Sequence, residues 1–258
     1  MTPATILTLQ LVVVVVGVVA LALLLHRRLD VPWPVWWWGA LAFVASQVVR
    51  GPLVAGLSVV APGAVGESAS FAANLAVLAL SAGVFEEGAR WLVLRVGART
   101  ARRWRDGVVF GAGHGGTEAV LLIGGAVVGS LLLLTGGDAL LEAIPDAANR
   151  ELVAEQLETV REVTLGDAFL AVWERALAIT FHIAAALLVL RAVRTGVWGW
   201  LVAAIAFHAA YNAVAVVIAQ VAGILASELA LTVVTLLPVA IIVSQRRADA
   251  ALQAGSEA

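Results

Sequence analysis

Residues 4–25 read ATILTLQLVVVVVGVVALALLL, a run without a single charged side chain. The apolar core of a bilayer is about 30 Å thick and is crossed by roughly 20 helical residues, so this run is long enough to span a membrane. It lacks a basic start and is followed by His26, Arg27 and Arg28. Those features predict a retained membrane helix rather than a cleaved signal peptide.

The rest of the chain has the same character. Of its 258 residues, 62% are hydrophobic and 13% are charged, whereas soluble domains average about 45–50% apolar and about 25% charged residues. This composition argues against a soluble domain and against disorder, which requires low hydrophobicity. The net charge of −2 argues against a nucleic-acid partner, and the absence of cysteine excludes thiol catalysis and thiolate metal sites.

Six further segments are predicted to cross the bilayer, giving an all-α polytopic membrane helix bundle of about seven transmembrane helices. They are residues 35–60, 69–94, 107–134, 168–190, 198–222 and 225–243. The second is the least regular, because Arg50, Pro52 and Pro62 interrupt it, and we expect it to end near Val49. The whole chain, 1–258, is predicted to be a single transmembrane domain.

The arginines predict the topology. With seven spans, the clusters all fall on one side of the membrane: Arg27, Arg28, Arg95, Arg99, Arg102, Arg103, Arg105, Arg191, Arg194, Arg246 and Arg247. The positive-inside rule makes that side cytoplasmic, with the N-terminus outside and the C-terminus inside. We expect a multi-pass protein in the plasma membrane of a prokaryote.

One sizeable polar segment, 135–167, is predicted to lie on the external side. It carries eight acidic residues against Arg150 and Arg161, a net charge of −6. Pro145 and Asp146 indicate a helix start, and a weak apolar stripe follows. The pattern predicts an amphipathic surface helix near the outer leaflet.

Four successive spans carry polar residues that are costly inside a bilayer. They are Glu86, Glu87 and Arg90 in the third, His114 and Glu118 in the fourth, Glu174, Arg175 and His182 in the fifth, and His208 and Asn212 in the sixth. At about 1.5 Å per helical residue, the acids and imidazoles of the four spans share one level, roughly 12–15 Å from the arginine-rich edge. A common depth predicts one polar site shared by four helices. Glu174 and Arg175 lie nearer the external edge, where an interfacial ion pair and a role in the site both stay open.

Carboxylate, imidazole and amide groups together suit the activation of water. A desolvated carboxylate can act as a general base, and imidazole or amide N–H groups can stabilise an oxyanion. The same residues could instead hold Zn²⁺ through two or three histidines and a glutamate. No helical HExxH motif is present, since His114 and Glu118 belong to HGGTE.

Three short motifs occur in order on these spans: EExxR at Glu86–Arg90, FxxxH at Phe110–His114 and HxxxN at His208–Asn212. Together they resemble the CAAX-protease and bacteriocin-processing superfamily of intramembrane proteases. The string GAGHGGTE at 111–118 and the additional His182 look most like the YhfC-type branch. The similarity covers residues 81–215, within a catalytic core expected at 69–222.

The resemblance implies an intramembrane endopeptidase. Its candidate catalytic residues are Glu86, Glu87, His114, His208 and Asn212, with Arg90, Glu118 and His182 as supporting residues. In such families, Glu86 and His114 would activate water, and His208 and Asn212 would hold the oxyanion. The prenyl-protease members have EExxxR, one residue longer than the motif here, so a prenylated substrate is not implied.

No cofactor is expected in the favoured, glutamate-dependent interpretation; in the zinc alternative His114, His182 and His208 are the ligands. The expected partners are a membrane protein or hydrophobic peptide substrate and the lipid bilayer, and the polar cavity is expected to open toward the cytoplasm. A transporter or a scaffold stays open as another class. Transporters often have broken helices and internal repeats, but the seven prolines all lie outside spans three to six and no repeat is visible.

Overall fold

The computed structural model describes residues 1–256, with side-chain placements for 1–137 and 139–251. The side chain of Asp138, one of the external acids, and residues 257–258 of the predicted domain lie outside this description. The chain is all-helical across the described residues. Its helices are α1 (Pro3–Leu29), α2 (Trp33–Val60), α3 (Phe71–Leu92), α4 (Trp104–Glu142), α5 (Ala147–Arg161), α6 (Leu165–Thr195), α7 (Gly199–Ala222), α8 (Ile224–Val234) and α9 (Leu236–Ser256). A π-helical turn, Val93–Gly97, extends α3.

Seven helical segments are long and apolar enough to cross a membrane, which confirms the predicted number. They are Pro3–Leu29, Trp33–Val60, Phe71–Val96, Trp104–Gly137, Leu165–Thr195, Gly199–Ala222 and Ile224–Ala251. The last combines α8 and α9. The sidedness of the termini stays a prediction.

The second span extends to residue 60, the bound of the predicted apolar segment, and does not end early. We predicted its end near Val49, but α2 continues through Pro52 to Val60, so that prediction is wrong. Proline removes one backbone hydrogen bond from a helix. In a segment long enough to span a membrane, leaving the helix would expose many more backbone groups without water, so continuing costs less. Arg50 therefore lies within a membrane helix and not in a loop.

The chain divides into two compact units. The first comprises Met1–Ala20 and Glu118–Arg175. It contains α5, where the Asp146 carboxylate accepts a hydrogen bond from the backbone N–H of Asn149 at 2.9 Å, which confirms the predicted helix start. Leu157 on α5 is buried and anchors that helix.

The second unit comprises residues 21–117 and the chain from Ala176 onward. Within it, α3 packs against α2 and α7, and α7 packs against α8. At the arginine-rich end, the Arg191 guanidinium lies over the ring of Trp200 at 3.9 Å, and the indole N–H of Trp104 donates to the carbonyl of Ile242 at 2.9 Å. Such arginine and tryptophan contacts are typical of a membrane–water interface.

Glycines let the first half of α4 contact two helices at backbone distance. A Cβ atom added at Gly111 would lie 2.6 Å from the Cα of Ile183 on α6. On the α2 side, a Cβ at Gly113 would lie 2.2 Å from the carbonyl oxygen of Trp36. Small residues at helix interfaces permit this close approach in membranes. The two contacts fix the position of His114, which lies between α2 and α6.

We predict that Gly111→Ala destabilises the protein by about 1–3 kcal/mol, because the new methyl group would overlap the backbone of α6. Gly125→Ala on the same helix is the matched control, since no described atom lies within 4 Å of an added Cβ there. The measurement is the free energy of unfolding in detergent, followed by tryptophan fluorescence. Equal stability of the two variants would contradict the proposed packing.

Candidate active site

A buried cluster of two carboxylates, three imidazoles and one guanidinium lies within the second unit. Glu86, Glu87 and Arg90 come from a single turn of α3, and the exposed fractions are 5% for Glu86 and 0% for the other two. Gly83, one turn earlier, allows α3 to approach α7 closely, because a Cβ there would lie 2.7 Å from the carbonyl oxygen of Ile205. The close helix contact brings the carboxylates of α3 within reach of α7.

Arg90 is at the centre of the hydrogen-bond network. Its Nε donates to His114 Nδ1 at 3.2 Å, and its Nη2 donates to His182 Nδ1 at 2.6 Å. Its Nη1 forms an ion pair with Glu87 Oε1, and Nη2 lies 3.7 Å from Glu86 Oε2. One fully buried cation therefore contacts all four of these side chains.

The bonds from Arg90 determine the tautomers of two histidines. A guanidinium has only donors, so each Nδ1 that faces it must accept with its lone pair. In a neutral imidazole the remaining proton is then on Nε2. His114 Nε2 accordingly donates to Glu86 Oε2, which lies 3.1 Å away. His114 orients the Glu86 carboxylate as a hydrogen-bond donor.

Glu86 also contacts α2 and faces α7. Its Oε1 accepts a hydrogen bond from the Gln47 amide at 3.2 Å. Its Oε2 lies 3.9 Å from His208 Nε2. The carboxylate is thus held on two sides by amide and imidazole donors while a third group, His208, faces it.

His208 is positioned by Glu87 and by an aromatic cluster. Its Nδ1 lies 2.7 Å from Glu87 Oε1, and the ring of Phe181 packs edge-on against it with centroids 5.0 Å apart. Phe181 also stacks on Tyr211, one turn after Phe207 on α7. These contacts fix the His208 ring so that Nε2 is directed toward the Glu86 side of the cluster.

The formal charges of the cluster nearly cancel. Two carboxylates and one guanidinium leave one negative charge when the imidazoles are neutral, and one proton on a histidine makes the cluster neutral. Buried charges are tolerated only when they are paired and hydrogen-bonded. The cluster can therefore gain one proton and approach neutrality, which is what a proton-transfer site requires.

The structure brings most of the predicted site residues together. Glu86, Glu87, Arg90, His114, His182 and His208 form the cluster. Asn212, one turn after His208, is half-buried and lines a cavity toward the helix ends opposite the arginine-rich side. Glu118 belongs to the first unit, where Arg175 donates to it at 3.2 Å and also pairs with Glu174.

Sequence reasoning missed two residues of α2. Gln47 contacts Glu86 directly, and Arg50 follows it by one turn. Gln47 was not considered, and Arg50 was interpreted only as an interruption of the second span. The signal was present, since Gln47 and Arg50 are polar residues spaced i, i+3 in an otherwise apolar stretch.

Comparison with known proteins gives the family. The sequence model described as YhfC intramembrane metalloprotease matches residues 11–235, which is most of the chain. The chain belongs to the YhfC family. A Bacillus subtilis (strain 168) protein described as "Uncharacterized membrane protein YhfC" is 34% identical over 151 residues, covering 53% of this chain and 54% of that protein. The match thus spans about half the length of this relative, and no solved structure matches the chain.

The YhfC assignment supports a membrane protease and raises the question of a metal. Glu86, His114 and His182 offer ligand atoms within 4.8 Å of one another, and these residue types bind zinc in proteins. His208, which we predicted as a third histidine ligand, is not part of this group; its Nδ1 donates to Glu87 and its Nε2 faces Glu86. By residue type and spacing, the group could hold a divalent ion.

The hydrogen bonds of the two imidazoles do not fit a metal while Arg90 is in place. A ligating histidine normally donates its other ring N–H to a carboxylate or a carbonyl. Here the second nitrogen of both His114 and His182 faces a guanidinium, which cannot accept. A neutral imidazole has one lone pair, and Arg90 uses it. In the described arrangement, a metal at either histidine would therefore require Arg90 to move away from that Nδ1 atom.

We predict that Arg90→Lys lowers the free energy of unfolding by about 2–5 kcal/mol. A lysine is a point charge and cannot donate to two imidazoles and a carboxylate in fixed directions, so buried acceptors lose their partners. Arg103→Lys is the control, because that side chain is 46% exposed and its pair with Asp106 is worth at most about 1 kcal/mol. The measurement is unfolding in mixed detergent micelles. Equal destabilisation by the two substitutions would contradict a central role for Arg90.

Proposed function

We propose that the protein is an intramembrane endopeptidase that hydrolyses a peptide bond of a membrane-associated or hydrophobic substrate with water activated by Glu86. The observation that supports this most directly is the position of the Glu86 carboxylate, 3.1 Å from His114 Nε2 and 3.9 Å from His208 Nε2 in a buried cluster. Membership of the YhfC family supports protease activity. Membership of the wider CAAX-protease superfamily is part of this proposal.

In the proposed mechanism, Glu86 is the general base. A water molecule gives a proton to Glu86, and its oxygen bonds to the carbonyl carbon of the substrate. His114 donates to Glu86 and sets the direction of the carboxylate. When the carbon–nitrogen bond breaks, the proton on Glu86 passes to the leaving amine. The products are a carboxylic acid and an amine, which exchange a proton to become a carboxylate and an ammonium, and Glu86 returns to its ionised form.

His208 and Asn212 are proposed to stabilise the oxyanion of the tetrahedral intermediate. His208 Nδ1–H donates to Glu87, so an Nε2–H directed at the oxyanion makes the ring an imidazolium. Glu87 balances that charge, and the protonated cluster is then neutral. Oxyanion donors of this kind contribute about 2.7–4 kcal/mol to catalysis.

Two other functions of the same cluster are alternatives to a glutamate-dependent protease. The family description and the spacing of Glu86, His114 and His182 favour a zinc-dependent protease as the second candidate. That version requires Arg90 to release the Nδ1 atoms. An ion or metal transporter using the same acids and imidazoles is the other alternative, and no specific contact favours it.

The cellular setting is also proposed. The seven candidate spans place the protein in a membrane. We propose the plasma membrane of a prokaryote, with the N-terminus outside, the C-terminus in the cytoplasm and a membrane protein or peptide as the substrate.

We predict that Glu86→Gln abolishes proteolysis, lowering it by at least about a thousandfold, because an amide cannot take the proton of water. Membranes containing either version are compared for new N-termini within apolar segments, by mass spectrometry of labelled termini. Glu67→Gln is the matched control, because this glutamate is exposed in the loop between α2 and α3. New termini that persist in Glu86→Gln would contradict the proposal.

We predict that the purified protein contains less than about 0.1 zinc ion per chain and that chelators leave its proteolysis unchanged. Arg90 occupies the lone pairs that a metal would need, so no high-affinity site is available. The measurement is elemental analysis combined with the labelled-terminus assay after dialysis against chelator. One equivalent of zinc per chain, with activity lost on its removal and restored on its return, would support the zinc alternative.

A further inference from the structure

A cavity of about 280 Å³ lies within the second unit, between α2, α3 and α7. Most of its lining is apolar. The lining includes Arg50, Leu75, Leu78, Ala79, Asn212 and Val216. It is on the side of the cluster away from the arginine-rich end of these helices.

Arg50 is the one charged residue among the described lining residues. Its Nε donates to Ser81 Oγ at 3.1 Å and its Nη2 donates to the carbonyl of Leu78 at 3.0 Å. A guanidinium has five N–H donors. These two bonds fix the plane of the group and leave Nη1 without a partner among the described residues.

Asn74 is another polar residue of the lining, and its side-chain amide is hydrogen-bonded to the backbone of Gly66. Its Oδ1 accepts from the backbone N–H of Gly66 at 2.8 Å, and its Nδ2 donates to the Gly66 carbonyl at 2.9 Å. This pair of bonds ties the loop before α3 to the helix. Arg50 is therefore the group that gives the cavity its electrostatic character.

The cavity is adjacent to the proposed catalytic residues. Arg50 lies three residues after Gln47, a rise of about 4.5 Å along α2, and Gln47 donates to Glu86. Asn212, on the cavity wall, lies one turn after His208. An extended peptide advances about 3.3 Å per residue. A group bound at Arg50 is thus within about one to three residues of a peptide bond held at Glu86.

We propose that this cavity binds an apolar segment of the substrate and that Arg50 pairs with a carboxylate of that segment, one to three residues from the cleaved bond. The inference rests on the proposed function and adds a specificity-determining residue to it. Arginine binds carboxylates through directed, charge-assisted hydrogen bonds, and these are strong in an apolar surrounding. The carboxylate is either the C-terminus of the substrate or an aspartate or glutamate side chain.

The test measures binding to the full-length Glu86→Gln chain in detergent micelles, so that no cleavage takes place. The probes are apolar leucine–alanine pentapeptides with an N-terminal dansyl group: the free acid, the C-terminal amide, and an amide with one internal glutamate. Fluorescence anisotropy gives each Kd. We expect at least one of the two carboxylate-bearing peptides to bind about tenfold tighter than the neutral amide, and which of them does so identifies the source of the carboxylate.

Two substitutions in the same background separate charge from cavity shape. Arg50→Gln is expected to reduce the preference for carboxylate to less than about twofold, and Arg50→Lys is expected to retain part of it. Leu75→Trp, which fills the cavity without altering Arg50, is expected to weaken all three peptides. Unfolding monitored by tryptophan fluorescence shows whether each variant is folded. If Arg50→Gln does not fold, the binding of the three peptides to Leu75→Trp tests whether they occupy the cavity.

Equal binding of acid and amide peptides to the chain with Arg50, or an unchanged preference in Arg50→Gln, would overturn the inference. Arg50-dependent binding of phosphatidylglycerol over phosphatidylcholine, with no preference among the peptides, would also overturn it and assign the cavity to a lipid. The assay does not depend on catalysis. A carboxylate preference without proteolysis would refute only the proposed function, and proteolysis without the preference would refute only this inference.

Discussion

The hydrogen bonds of Arg90 to two imidazoles and a carboxylate are the interaction on which the site depends. This guanidinium is completely buried and contacts side chains from α3, α4 and α6. Without it, two carboxylates would lie close together in a segment that spans a membrane, and each would need a proton or another cation. With it, Glu86 can remain ionised and directed. The cation is provided by the chain itself.

The packing of the helices keeps Arg90 and its partners at hydrogen-bond distance. Hydrophobic burial does not drive helices together in lipid as it does in water, so association depends on close contact and polar bonds. The glycines of α4 provide the contact, and the cluster provides the bonds. Neither is sufficient alone, because the bonds of Arg90 need donor–acceptor distances near 3 Å from three helices at once. A displaced α4 would move His114 out of reach of both Arg90 and Glu86.

Much of this architecture could be predicted from the sequence because it follows from local rules. Apolar length predicts the seven spans, equal depth predicts that Glu86, His114, His182 and His208 converge, and Asp146 predicts the start of α5. The continuation of α2 past Val49 could not be predicted in this way. A proline rule derived from soluble proteins indicated Val49, whereas the cost of an exposed backbone keeps the helix intact to Val60.

The details of hydrogen bonding were also outside the reach of the sequence. The spacing of Arg90 and Glu86 suggests an ion pair within α3, but it gives no sign that the guanidinium reaches imidazoles on two other helices. The hydrogen bonds of Arg90 to His114 and His182 determine which nitrogen of each ring has the lone pair. The position of that lone pair determines whether the ring is available to a zinc ion.

The backbone contacts on two sides of α4 restrict how the molecule can move. Between residues 110 and 115, glycines bring α4 against α2 on one side and α6 on the other, at distances that leave no room for a methyl group. A helix held in this way can neither slide along its axis nor rotate about it without collision. Any movement of α2 or α6 relative to this part of α4 is therefore limited by contact between the backbones themselves.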